Sequence, residues 1–227
     1  MHKRATAFAA VVSCVVVAGC ANTAGHAVMP KATPSLIPRP VVEHELGALL
    51  LDVNQVRAAM GAPMAVTAAE TSMSDNSATM APPQCLALDG AAEADVYAGS
   101  GFQAEHDQSF NDGDKFTHYL KEAVVLYPLV DKAAAFLEQS AQQWRNCHAY
   151  THTQSHSKWS VGQITYANGA LSTTVTEQDA AAPGWGCGRA MTLRNNVVID
   201  VNTCSADPAD SALRIANQIA QTVAARW

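Results

Sequence analysis

The sequence predicts an α+β fold: an antiparallel sheet with helices packed mainly on one face, two disulfides and a single domain. Three observations carry this. Two helix-period stripes, Ala134–Leu137–Ala141–Trp144 and Ala212–Ile215–Ala216–Ile219–Val223, stand far apart in the chain. Two turn signals, Asn168-Gly169 and Asn195-Asn196, each sit between β-rich runs. Four cysteines, Cys85, Cys147, Cys187 and Cys204, follow a start that has the anatomy of an export signal, and an even number in an exported chain reads as disulfides.

The chain begins with His2, Lys3 and Arg4, then an apolar run from Ala5 to Val17, then Ala18-Gly19-Cys20. The run is too short to span a bilayer as a mature helix and fits a signal peptide over residues 1–19. Small residues before a cysteine resemble the bacterial lipobox, which implies that Cys20 is diacylated on sulfur and becomes the first mature residue. Two acyl chains hold a protein stably on a membrane, where one is marginal. Residues 20–42 carry Pro30, Pro34, Pro38 and Pro40 and read as a semi-rigid tether. Residues 43–227 suffice for one domain with a proper core.

Within that domain Asp52 and Gln55 form a capping-box pair at a helix start, with Val56 and Met60 on one face and Gly61 and Pro63 ending it. Leu49–Leu51 precede it as a helical turn. Residues 70–83 read as a polar loop with an edge strand. Strand, turn and strand are expected around Cys85 and Asp95–Tyr97, with Asp89-Gly90 as the turn, and residues 108–114 as a loop. Tyr119 to Tyr127, with Val124-Val125-Leu126, reads as a buried strand. Pro128 to Asn146 is the central helix. Asp207-Pro208 starts the last helix, with Asp as cap and Pro at its first position.

Both hairpins have a predictable register. A type I′ turn at Asn168-Gly169 sets Tyr166 opposite Leu171. A two-residue turn at Asn195-Asn196 sets Arg194 opposite Val197, and seven further steps outwards set Cys187 opposite Cys204. That step is a non-hydrogen-bonded pair, whose Cα atoms lie about 4.5 Å apart and within reach of a disulfide. Of the three connectivities four cysteines allow, Cys187–Cys204 with Cys85–Cys147 is therefore chosen.

Trp144-x-x-Cys147, the run Gly184-Trp185-Gly186-Cys187-Gly188-Arg189-Ala190, and Asn196-Val197-Val198-Ile199-Asp200-Val201 before Cys204 and a closing helix resemble the PknH-like extracellular sensor domain of mycobacteria. That domain occurs in a receptor serine/threonine kinase and in free-standing surface lipoproteins. The resemblance implies an α+β fold, two disulfides and a cleft for an unidentified ligand.

Candidate sites are few. Arg189 and Asp200 lie diagonally on one face of the cysteine hairpin. A cross-strand ion pair is the preferred reading; the alternative has Arg189 clamping an anionic ligand. Trp185 sits in a glycine-rich turn, where it covers a disulfide or stacks on a ligand ring. These three are the ligand-binding candidates. His148, His152 and His156 recur every four residues without a nearby carboxylate and read as a polar edge rather than a metal site. Asn111-Asp112-Gly113-Asp114 lacks the order of a calcium loop and reads as a tight turn. No cysteine pair has zinc spacing, so no metal or cofactor is expected. No G-x-S-x-G, H-E-x-x-H or P-loop motif occurs, so no catalytic residue is assigned. Removing Lys3 and Arg4 leaves 12 basic against 20 acidic residues. That balance argues against nucleic acid as a partner. The expected partners are the membrane, through the lipid anchor, and an envelope ligand such as a small molecule or glycan, bound by a monomer. An envelope hydrolase and a structural or adhesive surface protein are the other classes considered.

Overall fold

Tyr119–Leu126 and Val197–Ser205 are the strands buried almost throughout, and the rest of the molecule is arranged around them. The structure, a computed structural model, describes residues 38–226; the signal segment, Cys20 and most of the tether lie outside the described residues. In chain order come a 3-10 turn Glu43–Ala48, α1 (Val53–Met60), β1 (Ala65–Glu70), β2 (Met80–Ala81), α2 (Leu86–Asp89), α3 (Ala94–Tyr97), β3 (Ala104–Asn111) and β4 (Tyr119–Leu126). Then follow α4 (Val130–Trp144), β5 (Ala149–His152), β6 (Lys158–Val161), β7 (Thr165–Ala167), β8 (Ala170–Gln178), β9 (Gly186–Arg194), β10 (Val197–Ser205) and α5 (Ser211–Arg226). The described strands form one antiparallel sheet in the order β1-β3-β4-β10-β9-β8-β6-β5-β2, with β7 paired to β8 beside that path.

Local signals account for several elements. Asp52 accepts hydrogen bonds from the Asn54 and Gln55 amides, Gln55 accepts one from the Asp52 amide, and Gly61 closes α1 at φ 66. In the β9–β10 hairpin every pair from Arg194↔Val197 to Cys187↔Cys204 is in register without a bulge. The Cys187–Cys204 bridge follows, with Cα atoms 4.0 Å apart. Cys85–Cys147 is the second bridge. Tyr166 opposes Leu171 as the Asn168-Gly169 turn requires.

The helices are not mainly on one face. One cluster gathers Val197, Ile199 and Val201 of β10 with Val56 of α1 and Ile215, Ile219 and Val223 of α5. The other gathers Val198 and Cys204 with Leu86 and Leu88 of α2, Tyr97 of α3, and Phe136, Leu137 and Trp144 of α4. Consecutive apolar residues such as Val124-Val125-Leu126 point to both faces in turn, so both faces need cover.

Four further expectations are corrected. Residues 108–111, expected as the start of a loop, belong to strand β3: its polar residues are carried by eight-residue pairing with β4. The stretch around Cys85 to Tyr97 forms the short helices α2 and α3, not strands. The closing helix starts at Ser211, three residues after Pro208, whose carbonyl accepts the Ser211 amide and hydroxyl. The folded unit also begins before residue 43, since Val41 is buried and its amide donates to Asn196 Oδ1.

Glu122 of β4 is fully buried and accepts the Leu51 amide (2.8 Å) and Gln108 Nε2 (2.7 Å), both on Oε1. Burial pushes its carboxyl up to about 7. The folded state therefore holds a proton that the unfolded chain releases near the ordinary value of 4.5. Stability from this group is complete below that value and is lost as pH rises through about 7, at up to about 1.4 kcal/mol per pH unit. Denaturation followed from pH 5 to 8 should show the fall. Glu122→Gln, which keeps an oxygen for both donors, should make the fall shallower; an unchanged slope would contradict this account.

Candidate functional site

A cleft of about 550 Å³ opens on the sheet face that carries α2, α3 and α4. Its floor is made at one end of the central strands by Tyr119 and Lys121 of β4, Asn202 and Cys204 of β10, and Cys187 of β9. Residues 74–79 and 89–93 form one wall, and the β5–β6 hairpin forms the other. Phe116 and Trp185 stand at the rim.

The first wall is held by polar contacts across long sequence distances. Ser74 and Glu93 form a parallel bridge, with the Ser74 amide donating to Ala92 O (3.0 Å) and the Ala94 amide to Ser74 O (2.8 Å). Glu93 is buried and accepts the Asn76 amide (3.0 Å) and Asn76 Nδ2 (2.7 Å). Burial raises its carboxyl above the ordinary value in spite of these bonds. On the floor, Lys121 Nζ lies 3.0 Å from Asp107 Oδ2 and donates to Ser74 Oγ (2.7 Å), tying sheet to wall. Beneath the wall, burial and the neighbouring Asp107 push the Glu105 carboxyl up to about 8.

The second wall is aromatic. Tyr150 and Trp159 are parallel within 4° at 5.9 Å, and His152 stacks on Trp159 at 5.8 Å. His152 Nε2 and Asp89 Oδ1 are 2.6 Å apart, closing the two walls on each other. A second aromatic group lies across the floor, with Phe116 6.2 Å from Tyr119 and 6.3 Å from Trp185. The cleft thus offers two aromatic surfaces separated by amide, hydroxyl and carboxylate groups.

The hydrogen bond to Asp89 raises the His152 pKa above its ordinary 6.5. The stabilisation this pair adds is complete below 6.5 and lost as pH rises through the higher folded value. An NMR titration of His152 should give a midpoint above 6.5 that Asp89→Asn lowers. A midpoint at or below 6.5 in the unsubstituted protein would refute the pairing.

Of the sequence candidates, Trp185 lines the cleft. Arg189 and Asp200 lie behind the wall instead, each about 1% exposed, with Arg189 Nη2 2.9 Å from Asp200 Oδ1. Arg189 also donates to Ala87 O (2.9 Å) and Val201 O (2.6 Å) and stands 5.4 Å from the centre of the Trp144 ring. Asp200 Oδ2 accepts the Ala92 amide and the Tyr97 hydroxyl, both at 3.0 Å. The pair is the diagonal ion pair of the hairpin, and it positions the cleft wall by holding α2, Ala92 and α3 against the sheet. Neither residue lines the cleft.

Of the three spaced histidines, His152 alone lines the cleft, and it has the carboxylate partner that the local sequence lacks: Asp89 stands 63 positions upstream. Asp112 makes the tight turn expected of its segment, accepting the Thr117 amide and hydroxyl. The residues missed by sequence reasoning are Asp89, Glu93, Lys121, Tyr150, Trp159 and Asn202. Lys121-Glu122 inside a buried β-rich run was the available signal, since charges there require polar partners on both faces.

The sequence profile described as PknH-like extracellular domain matches residues 41–222. The serine/threonine-protein kinase PknH of Mycobacterium tuberculosis (strain ATCC 25618 / H37Rv) is 36% identical over 204 residues, covering 87% of this chain and 31% of the kinase. The kinase of the same name from Mycobacterium bovis is 36% identical over 192 residues, covering 82% of this chain and 32% of the kinase. The chain therefore spans about a third of the length of these relatives. The crystal structure of the extracellular domain of PknH from Mycobacterium tuberculosis superposes with a TM-score of 0.78 at 34% identity, covering 82% of this chain and 98% of that domain.

Proposed function

The chain belongs to the PknH-like extracellular domain family, and on that premise we propose that it is a lipid-anchored, extracytoplasmic sensor-type domain that binds an envelope ligand and performs no chemistry. The observation that carries the reading is the cleft: two aromatic surfaces with a polar floor between them, of a size suited to a small ligand. Aromatic faces pack on the C–H faces of sugar rings, while Asn76, Asn202, Gln154 and Ser155 supply donors and acceptors for hydroxyl groups. The cations of the cleft are already matched, Lys121 by Asp107 and His152 by Asp89, which disfavours an anion. The ligand class is therefore an uncharged glycan or a polyhydroxylated small molecule. The Cys20 motif supports anchoring outside the cytoplasm, where the two bridges are maintained. On this reading the chain works as a free-standing surface lipoprotein.

Two measurements test the proposal. A thermal-shift screen against neutral oligosaccharides, charged oligosaccharides and envelope lipids should select the neutral sugars; a ligand at a hundred times its Kd adds about 2.7 kcal/mol. Trp185→Ala should weaken the selected ligand about tenfold, equivalent to about 1.4 kcal/mol. No response across the panel would overturn the ligand reading. Separately, a labelled fatty acid should be incorporated into the protein and Cys20→Ala should abolish the label; an unlabelled parent would overturn the anchor.

A further inference from the structure

We propose that the end of the domain at which the chain enters is a bilayer-docking surface, with Val42, Phe102, Leu129 and Val130 inserting into the lipid interface. Six large apolar residues are well exposed among the described residues, and these four share one end of the sheet. Asn196 joins two of the segments: its Oδ1 accepts the Val41 amide (2.8 Å) and its Nδ2 donates to Tyr127 O (2.7 Å). The third segment arrives through the Gln103 amide, which donates to Leu126 O (2.8 Å). Pro38 and Arg39 enter the domain at the same place, where Asn195 Nδ2 donates to Arg39 O (2.8 Å).

Single exposed apolar residues are ordinary; a cluster at the attachment point is not. Two of them also occupy positions where local structure favours something else. Leu129 is the N-cap of α4, is 59% exposed and has no side-chain bond to the helix amides. Val42 leads the 3-10 turn in the same manner at 42% exposure. Asp, Asn, Ser or Thr would cap both turns better. Apolar side chains that neither cap nor pack are explained by contact with lipid.

The charges at this end fit such contact without driving it. Arg194 and Lys132 are exposed and unpaired among the described residues, and are placed to reach phosphate oxygens. Glu43 and Asp131 balance them, so insertion rather than surface charge supplies the attraction. The cleft floor lies at the opposite ends of the same strands, about 25 Å away along an eight-residue strand. Docking therefore leaves the cleft open to the outside, and the proposal stands apart from the ligand's identity.

Residues 37–227 form one compact unit, and the related extracellular domain exists as a crystal structure by itself, so the fragment 38–227 is a fair test. It should float with uncharged phosphatidylcholine vesicles. Leu129→Asp/Val130→Ser should reduce flotation at least tenfold without lowering Tm, because Asp is a better N-cap than Leu. Val66→Asp, at the far end of the sheet, should float like the unsubstituted fragment. The proposal is overturned if the fragment stays in solution, if the Leu129→Asp/Val130→Ser variant floats as well as the parent, or if flotation requires anionic lipid.

Discussion

Asp200→Ala is expected to destabilise the domain by about 3–5 kcal/mol, the cost of leaving a buried charge without its partner. Asp200 and Arg189 are both about 1% exposed, so water cannot replace the lost carboxylate. The Ala92 amide and the Tyr97 hydroxyl lose their acceptor in the same substitution. The effect is large against the 5–15 kcal/mol that holds an ordinary domain together. It should also reach the cleft, because Ala92 lies in the wall segment 89–93 that Asp200 fastens. Chemical denaturation measures the first consequence and ligand affinity the second. A double-mutant cycle with Arg189→Met separates the ion pair from the other two bonds. A loss below about 1 kcal/mol for Asp200→Ala would contradict the buried pair, since that is the range of an exposed one.

The second large effect is expected from Cys85→Ser/Cys147→Ser. The bridge spans 62 positions, and on the chain-entropy account closing a loop of that length is worth about 4 kcal/mol. The shorter Cys187–Cys204 bridge, spanning 17 positions, is worth about 3 kcal/mol. Cys85 immediately precedes α2, and Cys147 follows α4, so the longer bridge also pins the cleft wall to the central helix. Denaturation midpoints should fall more for this pair than for Cys187→Ser/Cys204→Ser. The reverse order would show that the bridges act through folded-state packing rather than through the unfolded chain.

Residue by residue, legibility followed the range of the interaction. The α1 cap was readable because Asp52 and Gln55 contact each other within three positions. The Cys187–Cys204 bridge was readable because a two-residue turn and a period of two carry the register outwards without outside help. The β3 strand was not, because Gln108, Ser109 and Asn111 become strand through pairing with β1 on one side and β4 on the other. Residues 86–97 misled for a related reason. Their apolar run suits a strand, but Arg189 captures the Ala87 carbonyl and Asp200 the Ala92 amide, and short helices result.

By itself the sequence determined the α+β class, the hairpin registers with the Cys187–Cys204 bridge, and the stripes of the long helices, which arise from neighbours or from fixed periodicity; the Cys85–Cys147 bridge, 62 positions apart, followed as the remaining pair. Only the tertiary structure decided which polar residues meet. Asp89 reached His152, Lys121 reached Asp107 and Ser74, and Arg189 and Asp200 went beneath the cleft wall rather than into the cleft. A buried charge takes whatever partner the packed chain brings to it, and spacing along the chain does not encode that choice.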